Sequence, residues 1–195
     1  MKSTQGNQLV TNNIAHFKRD ADLITRISKR DEKALELLYN HYYSRLFRFV
    51  ARVIRREDLI DEVINDVMYV VWEKAESYNQ QCKPSTWIFG IAYNKARQSL
   101  RNAGNNAEES LDEMDGDNLL FEDTDCGLKQ MEMTNWLDSA LDTLSPDQRA
   151  VIELTYFQGL HYSEIAVLMN CPENTVKTRM HHARKKLAVI LKNNE

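Results

Sequence analysis

The chain has 195 residues, 43% of them apolar and 28% charged, with three prolines, six glycines and a net charge of −4, a balance that speaks against disordered and all-β classes and points to one ordinary helical domain or two small ones. The charge is segregated: residues 1–102 carry a net +5, residues 103–138 a net −10 and residues 139–195 a net +1. An acidic middle between more basic flanks predicts two folded units joined by a solvated linker.

The first residues, MKSTQGNQLVTNNIAHF, lack the continuous apolar core of a signal peptide, and no later stretch approaches the ~18 apolar residues of a spanning helix. A cytoplasmic location without membrane insertion is therefore expected. Residues 1–20 are polar and patternless and are assigned to a mobile N-terminal tail.

From Asp31, a good N-cap, the run EKALELLYNHYYSRLFRFVARVI repeats apolar residues three and four apart, the signature of a long amphipathic helix. After Arg55 and Arg56 comes a second, EDLIDEVINDVMYVVWEKA. A third, STWIFGIAYNKARQSLR, begins just after Pro84, with Ser85 as the expected cap. Residues 21–102 are thus expected to form a helical bundle. Residues 103–132, rich in Asp, Glu, Asn and Gly without sustained periodicity, are assigned to the flexible linker.

Residues 133–195 form the second expected unit. In SPDQRAVIELTYF, Ser145 is placed to cap, Pro146 to take the first helical position and Gln148 to complete a capping box. SEIAVLM and ENTVKTRMHHARKKLAVIL supply two more helices around an Asn170-Cys171-Pro172 turn. A helix-turn-helix needs a small residue where its helices cross, a residue tolerant of left-handed backbone at the turn and an apolar residue where the second helix packs back. Ala166, Asn170 and Val176 occupy those places. At roughly 100° per residue, Val176, Met180, Ala183 and Leu187 cluster on one side of the last helix. Asn174, Thr178, His181 and Lys185 lie opposite, flanked by Lys177 and His182, a stripe suited to base edges and phosphates in a DNA major groove. The plainer alternative, a solvated basic C-terminus, suits Lys185 and Lys186 taken alone.

The run LDTLSPDQRAVIELTYFQGLHYSEIAVLMNCPENTVKTRMHHARKKL resembles region 4 of bacterial sigma factors, in particular the extracytoplasmic-function (ECF) group of the sigma-70 family, which keeps only regions 2 and 4. DEVINDVMYVVW resembles region 2.2, and PSTWIFGIAYNKARQSLR resembles regions 2.3 and 2.4. The resemblance implies an all-α protein of two small helical domains, region 2 and region 4, that binds core RNA polymerase and directs promoter-specific initiation. Its partners would be core polymerase, double-stranded and melted promoter DNA, and an anti-sigma factor.

Carried over residue by residue, the resemblance puts Asp61, Asn65 and Asp66 against the clamp of the large polymerase subunit. Met68 and Trp72 fall on that same second face, with burial by a neighbouring helix as the alternative. Minus-10 recognition and melting fall to the third helix and the loop before it, residues 77–85. There Asn94, Arg97 and Arg101 share the outer face, two arginines four apart can follow a phosphate backbone, and Trp87, Phe89 and Tyr93 offer flat faces for unstacked bases. Trp87, at the helix start, is the better DNA candidate; Phe89 reads more simply as core. For the minus-35 element the implied contacts are Asn174, Lys177, Thr178, His181, Arg184 and Lys185, with Lys177, Thr178 and His181 reading bases and Arg184 meeting phosphate. Arg179, like Arg184, sits further round, placed for phosphate or for packing charge.

An enzyme is not expected. Of the acidic side chains Asp61, Glu62 and Asp66, Glu62 points about a quarter-turn or more away from Asp61 and no further ligand is evident nearby, no phosphate loop or activated nucleophile is present, and Cys82, Cys126 and Cys171 have no metal-ligand spacing. No cofactor or metal is expected. The rival reading is a stand-alone regulator of LuxR-like type, which would carry strands ahead of the linker, where this chain shows helical periodicity.

Overall fold

A computed structural model describes residues 17–104, 140, 141 and 143–193, and every regular element among them is helical. Helix α1 spans residues 17–27 and so includes residues 17–20, which the sequence reading assigned to the tail. Its Leu23, Ile24 and Ile27 are buried, and buried Asp20 accepts a 2.7 Å hydrogen bond from the Tyr42 hydroxyl. Asp31 caps α2 (Glu32–Ile54) by accepting from the Ala34 amide. The Arg26 guanidinium, donating to Asp31 at 2.9 Å, holds that carboxyl below its usual range. In α2 the buried set Ala34, Leu38, Tyr42, Leu46, Phe49, Val50 and Val53 follows the three-four spacing of an amphipathic stripe. The helix ends at Arg55 in left-handed geometry, φ 54°.

A 3₁₀ turn at Glu57–Leu59 leads into α3 (Ile60–Lys74), and another at Ala75–Ser77 precedes α4 (Pro84–Ala103). Helices α2, α3 and α4 pack pairwise around Phe49 and Phe89, whose rings meet edge to face at 5.3 Å. The cap of α4 differs from expectation. Pro84 takes the first helical position and Lys83 the cap position, so Ser85 falls inside the first turn, where Pro84 has already fixed the entry.

Helices α5 (Pro146–Tyr156), α6 (Tyr162–Met169) and α7 (Glu173–Asn193) make the second unit. Its capping box is present: the Ser145 hydroxyl accepts from the Gln148 amide and the Gln148 side chain accepts from the Ser145 amide. The two units touch. Helix α5 packs on α2 and α6 packs on α4, and their buried side chains form one continuous cluster. Arg149 of α5, itself buried, donates at 3.1 Å to the carbonyl of Val53, one of the orphan acceptors in the last turn of α2. The stretch read as linker lies outside the described residues apart from its first two positions, which close α4 and the turn after it. Among the described residues no helix is long and apolar enough to cross a membrane.

Candidate nucleic-acid interface and polymerase contact surface

The helix-turn-helix is built where the sequence places it. Asn170 adopts φ 51° and ψ 51°, closing α6 in left-handed geometry, and the Cys171 amide donates to the carbonyl of Ala166 at 3.0 Å. Pro172 takes the cap position ahead of Glu173, its carbonyl accepting from the Thr175 and Val176 amides at 2.9 and 3.4 Å. Val176, Met180 and Ala183 are buried and Leu187 half-buried, so the docking side of α7 is the one that helical spacing indicates. Asn174, Lys177, Thr178, His181, His182, Arg184 and Lys185 are all exposed.

Within that outer surface the side chains are not equivalent. Lys177 forms a 2.8 Å pair with Glu173 one turn back. Thr178 donates its hydroxyl hydrogen to the Asn174 carbonyl at 2.9 Å, which leaves the hydroxyl oxygen able to accept but with no hydrogen to give. Arg184 is drawn aside: its Nε and Nη2 donate to the Tyr156 hydroxyl of α5 at 3.1 and 2.7 Å. Arg179 is half-buried and ion-paired with Asp147, so of its two readings the structure favours packing charge.

Helix α4 departs further from expectation. Asn94 and Arg101 are exposed, as an outer face requires. Arg97 is half-buried instead, its guanidinium 5.7 Å from the Tyr93 ring centroid and 3.9 Å from the Asp147 carboxylate. Phe89 and Tyr93 lie in the core and offer no face to a base. The Tyr93 hydroxyl donates to Asp147 at 2.7 Å, and burial together with that carboxylate pushes its pKa upward. Trp87 is half-buried and packs on the Tyr78 ring at 5.2 Å. The Tyr78 hydroxyl donates to the carbonyl of Cys82, and burial raises its pKa to about 12. This pair shapes the loop ahead of α4.

On α3, Asp61, Asn65 and Asp66 are exposed on one side. Asp61 accepts a 2.9 Å hydrogen bond from the Tyr43 hydroxyl of α2, which raises the pKa of that phenol; Asp66 accepts from Lys95 of α4 at 2.9 Å. Met68 does not share this face. It is buried, and Trp72 is half-buried beneath the Arg30 guanidinium, 5.2 Å away. Packing on two neighbouring helices widens the buried side of α3 beyond a single stripe, which spacing alone does not reveal. An open depression beside Asp61 and Asn65 is lined by Tyr39, Asn40, Tyr43 and Ser44, residues the sequence reading did not assign. Tyr39 and Tyr43 stack at 5.5 Å, and their four-residue spacing in the polar, tyrosine-rich run YNHYYS was the available signal.

Among the described residues no group of three His, Cys, Asp or Glu side chains gathers as a metal site. Cys82 and Cys171 are free thiols, and burial raises the Cys82 pKa.

The model of sigma-70 region 2 matches residues 38–106 and that of sigma-70 region 4 matches residues 134–187, together more than half of the chain. The chain is 28% identical over 174 residues to the ECF RNA polymerase sigma-E factor of Haemophilus influenzae, covering 85% of this chain and 92% of that one. The sigma-E factor of Escherichia coli K12 is 28% identical over 177 residues, covering 85% and 91%. Among solved structures, CnrH in complex with the cytosolic domain of CnrY aligns at 20% identity with a TM-score of 0.64, covering 91% of this chain and 99% of that one. The sigma factor RpoE, in complex with the anti-sigma factor NepR from Bartonella quintana, aligns at 22% identity with a TM-score of 0.65, covering 84% and 99%.

Proposed function

The chain belongs to the sigma-70 family of RNA polymerase sigma factors, in its ECF group, and from that premise we propose how its own residues divide the work of promoter-specific initiation. Core RNA polymerase is engaged by the α3 face of Asp61, Asn65 and Asp66, extended by the Tyr43 hydroxyl that orients Asp61. The minus-35 element is read in the major groove by Asn174, Lys177, Thr178 and His181, with Lys185 and Arg184 toward the phosphates. The minus-10 element is met by Trp87, Asn94, Arg97 and Arg101. The observation that carries the reading is the exposed polar face of α7 opposite buried Val176, Met180 and Ala183, in a chain that also holds the helical bundle of region 2. A LuxR-like regulator is not favoured, because the region ahead of α5 is helical wherever it is described.

On this reading the protein is an initiation factor with no catalytic centre of its own, working in the cytoplasm beside its polymerase. The solved relatives CnrH and RpoE are held by CnrY and NepR, and an anti-sigma partner is proposed here too. The test mixes the purified protein with core polymerase and sequences transcripts made from fragmented genomic DNA. A discrete set of start sites sharing upstream and minus-10 sequences is expected. Random initiation, or failure to co-elute with core polymerase where a known sigma factor does, overturns the reading.

A further inference from the structure

The first turn of α1, assigned from sequence to the tail, is docked beside the loop that precedes α4. Asp20 is buried and accepts from the Tyr42 hydroxyl at 2.7 Å, and the Tyr42 ring lies 6.5 Å from that of Phe89 near the start of α4. Burial first, and then the nearby Cys82 and Asp20, hold the proton on the Tyr78 hydroxyl. Asp20 therefore stands close to the loop, where the Tyr78 and Trp87 rings meet at 5.2 Å. Around this anchor α1 shows a mixed surface. Phe17 is 37% exposed, Lys18 is exposed, and Arg19 keeps half of its side chain exposed with its Nε 3.6 Å from Asp20. His41 of α2 approaches the same carboxylate oxygen, Nε2 at 3.8 Å.

We propose that Phe17, Lys18 and Arg19 carry the melted-DNA surface past this loop and onto α1, binding phosphates and one unstacked base of the single strand that runs on from the minus-10 element. The inference rests on the proposed placing of that element at the loop and the start of α4. Three observations support it. First, α4 alone offers a single strand little to hold. Phe89 and Tyr93 lie in the core and Arg97 is turned to Asp147, which leaves Trp87, Asn94 and Arg101. Second, cations interleaved with flat aromatic faces are what single strands bind whatever their sequence, and residues 17–19 supply both within one turn. Charge agrees: residues 17–30 hold five Lys and Arg against two Asp, a net +3. One of those two, Asp20, is buried, so the outer surface of α1 is more cationic than the count. Third, the surface is preorganised. Buried Leu23, Ile24 and Ile27 dock α1 on the bundle, and the Asp20–Tyr42 hydrogen bond fixes its first turn, so little ordering is left for the moment of binding.

The test uses the full chain without polymerase, titrated at low salt against a fluorescein-labelled random single-stranded 20-mer and against a hairpin duplex. The double variant Lys18→Gln, Arg19→Gln should lower the salt slope of single-strand binding by about 1.4 units, two phosphates at ~0.7 each. Lys18→Arg, Arg19→Lys, which keeps both charges, should bind as the wild type does. Phe17→Ala should weaken single-strand binding about fivefold or more, the low end of what one stacked base contributes, without changing the slope. Because a duplex presents no unstacked base, the same variant should hold the hairpin within about twofold of wild type. Helical circular dichroism and melting temperature should be unchanged in all three. Should Phe17→Ala lower the melting temperature, Phe17→Leu, apolar but without a flat face, takes its place. A wild type that does not bind the single strand overturns the proposal. So do an unchanged slope in the double glutamine variant and equal losses on single strand and duplex in the Phe17 variant. Absence of promoter-specific initiation by wild-type holoenzyme would instead sink the proposed function, while single-strand binding by the free chain still decides whether α1 carries this surface.

Discussion

Arg52 and Glu153 meet at 2.6 Å across the two helical units, and Glu153 keeps only 3% of its side-chain surface exposed. Arg52 also lies 4.4 Å from the Phe157 ring centroid. Removing the arginine strands a buried carboxylate, which costs about 3–5 kcal/mol when nothing else changes. This chain has an easier response, because separating the units rehydrates Glu153. Arg52→Ala is therefore expected to expand in scattering at urea concentrations where its helical signal is still intact. A single transition, with expansion and helix loss coincident, contradicts this.

Tyr43 and Asp61 predict a graded loss of polymerase affinity. Asp61→Lys should weaken association with core polymerase strongly, because it reverses a charge on the contact face. Tyr43→Phe should weaken it less, since it only releases the carboxylate from its 2.9 Å hydrogen bond. Both sites lie on the surface, where substitutions usually cost within ~0.5 kcal/mol of stability, so thermal melts should change little. Unchanged affinity in Asp61→Lys moves the polymerase surface elsewhere.

The minus-35 assignment separates base reading from backbone contact. Lys177→Ala or His181→Ala should cost ~1–3 kcal/mol on the preferred promoter and alter which upstream bases are tolerated. Arg184→Ala should weaken all promoters alike and reduce the salt slope by about one unit. Tyr156→Phe, which removes the oxygen that Arg184 binds, should leave base preference unchanged. Activity measured across a library randomised in the upstream element decides. Even losses for the Lys177 and His181 variants would show that they position the helix without reading it.

The turn between α6 and α7 depends on Asn170 at φ 51°. Glycine reaches this region without steric strain, so Asn170→Gly should fold and bind promoters as the parent does. Asn170→Val should lose roughly 1–2 kcal/mol, the cost of left-handed backbone for a residue with a crowded Cβ, read as a lower melting temperature. A valine variant as stable as the parent would mean that the turn adjusts its path.

Glu164 predicts how folding stability responds to acid. Burial raises its pKa, but the His161 amide and Lys83 outweigh that and hold the carboxyl below its ordinary 4.5. A folded-state pKa below the unfolded one stabilises the folded chain fully above about pH 5. That stabilisation fades as pH falls through 4.5 toward the folded value. Wild type should lose more thermal stability than Glu164→Gln between pH 5 and 3; identical acid profiles would mean that the contacts of Glu164 do not favour the folded state.

Local features were legible because they depend on neighbours in the chain. Asp31, Ser145, Gln148 and Asn170 act within four residues of the groups they cap or turn, so residue type and offset were sufficient. The same holds for the two sides of α7, where Val176, Met180 and Ala183 share a face by periodicity alone. The cap of α4 was misplaced by two residues, Ser85 for Lys83, since Ser85 is a good cap by type but Pro84 had already taken the first helical position.

Met68, Tyr93, Arg97 and the pairing of the two units required the tertiary structure. Met68 falls outside the main stripe of α3, but the helix is clasped by two neighbours and buries more than one stripe. Tyr93 and Arg97 look like an outward aromatic and an outward cation until Asp147, fifty or more residues away in sequence, is brought against both. A one-dimensional pattern records how polar each face is and how often it recurs. Which distant carboxylate meets a given arginine depends on how whole helices pack, because ion pairs form wherever packing leaves opposite charges together, whatever their separation along the chain.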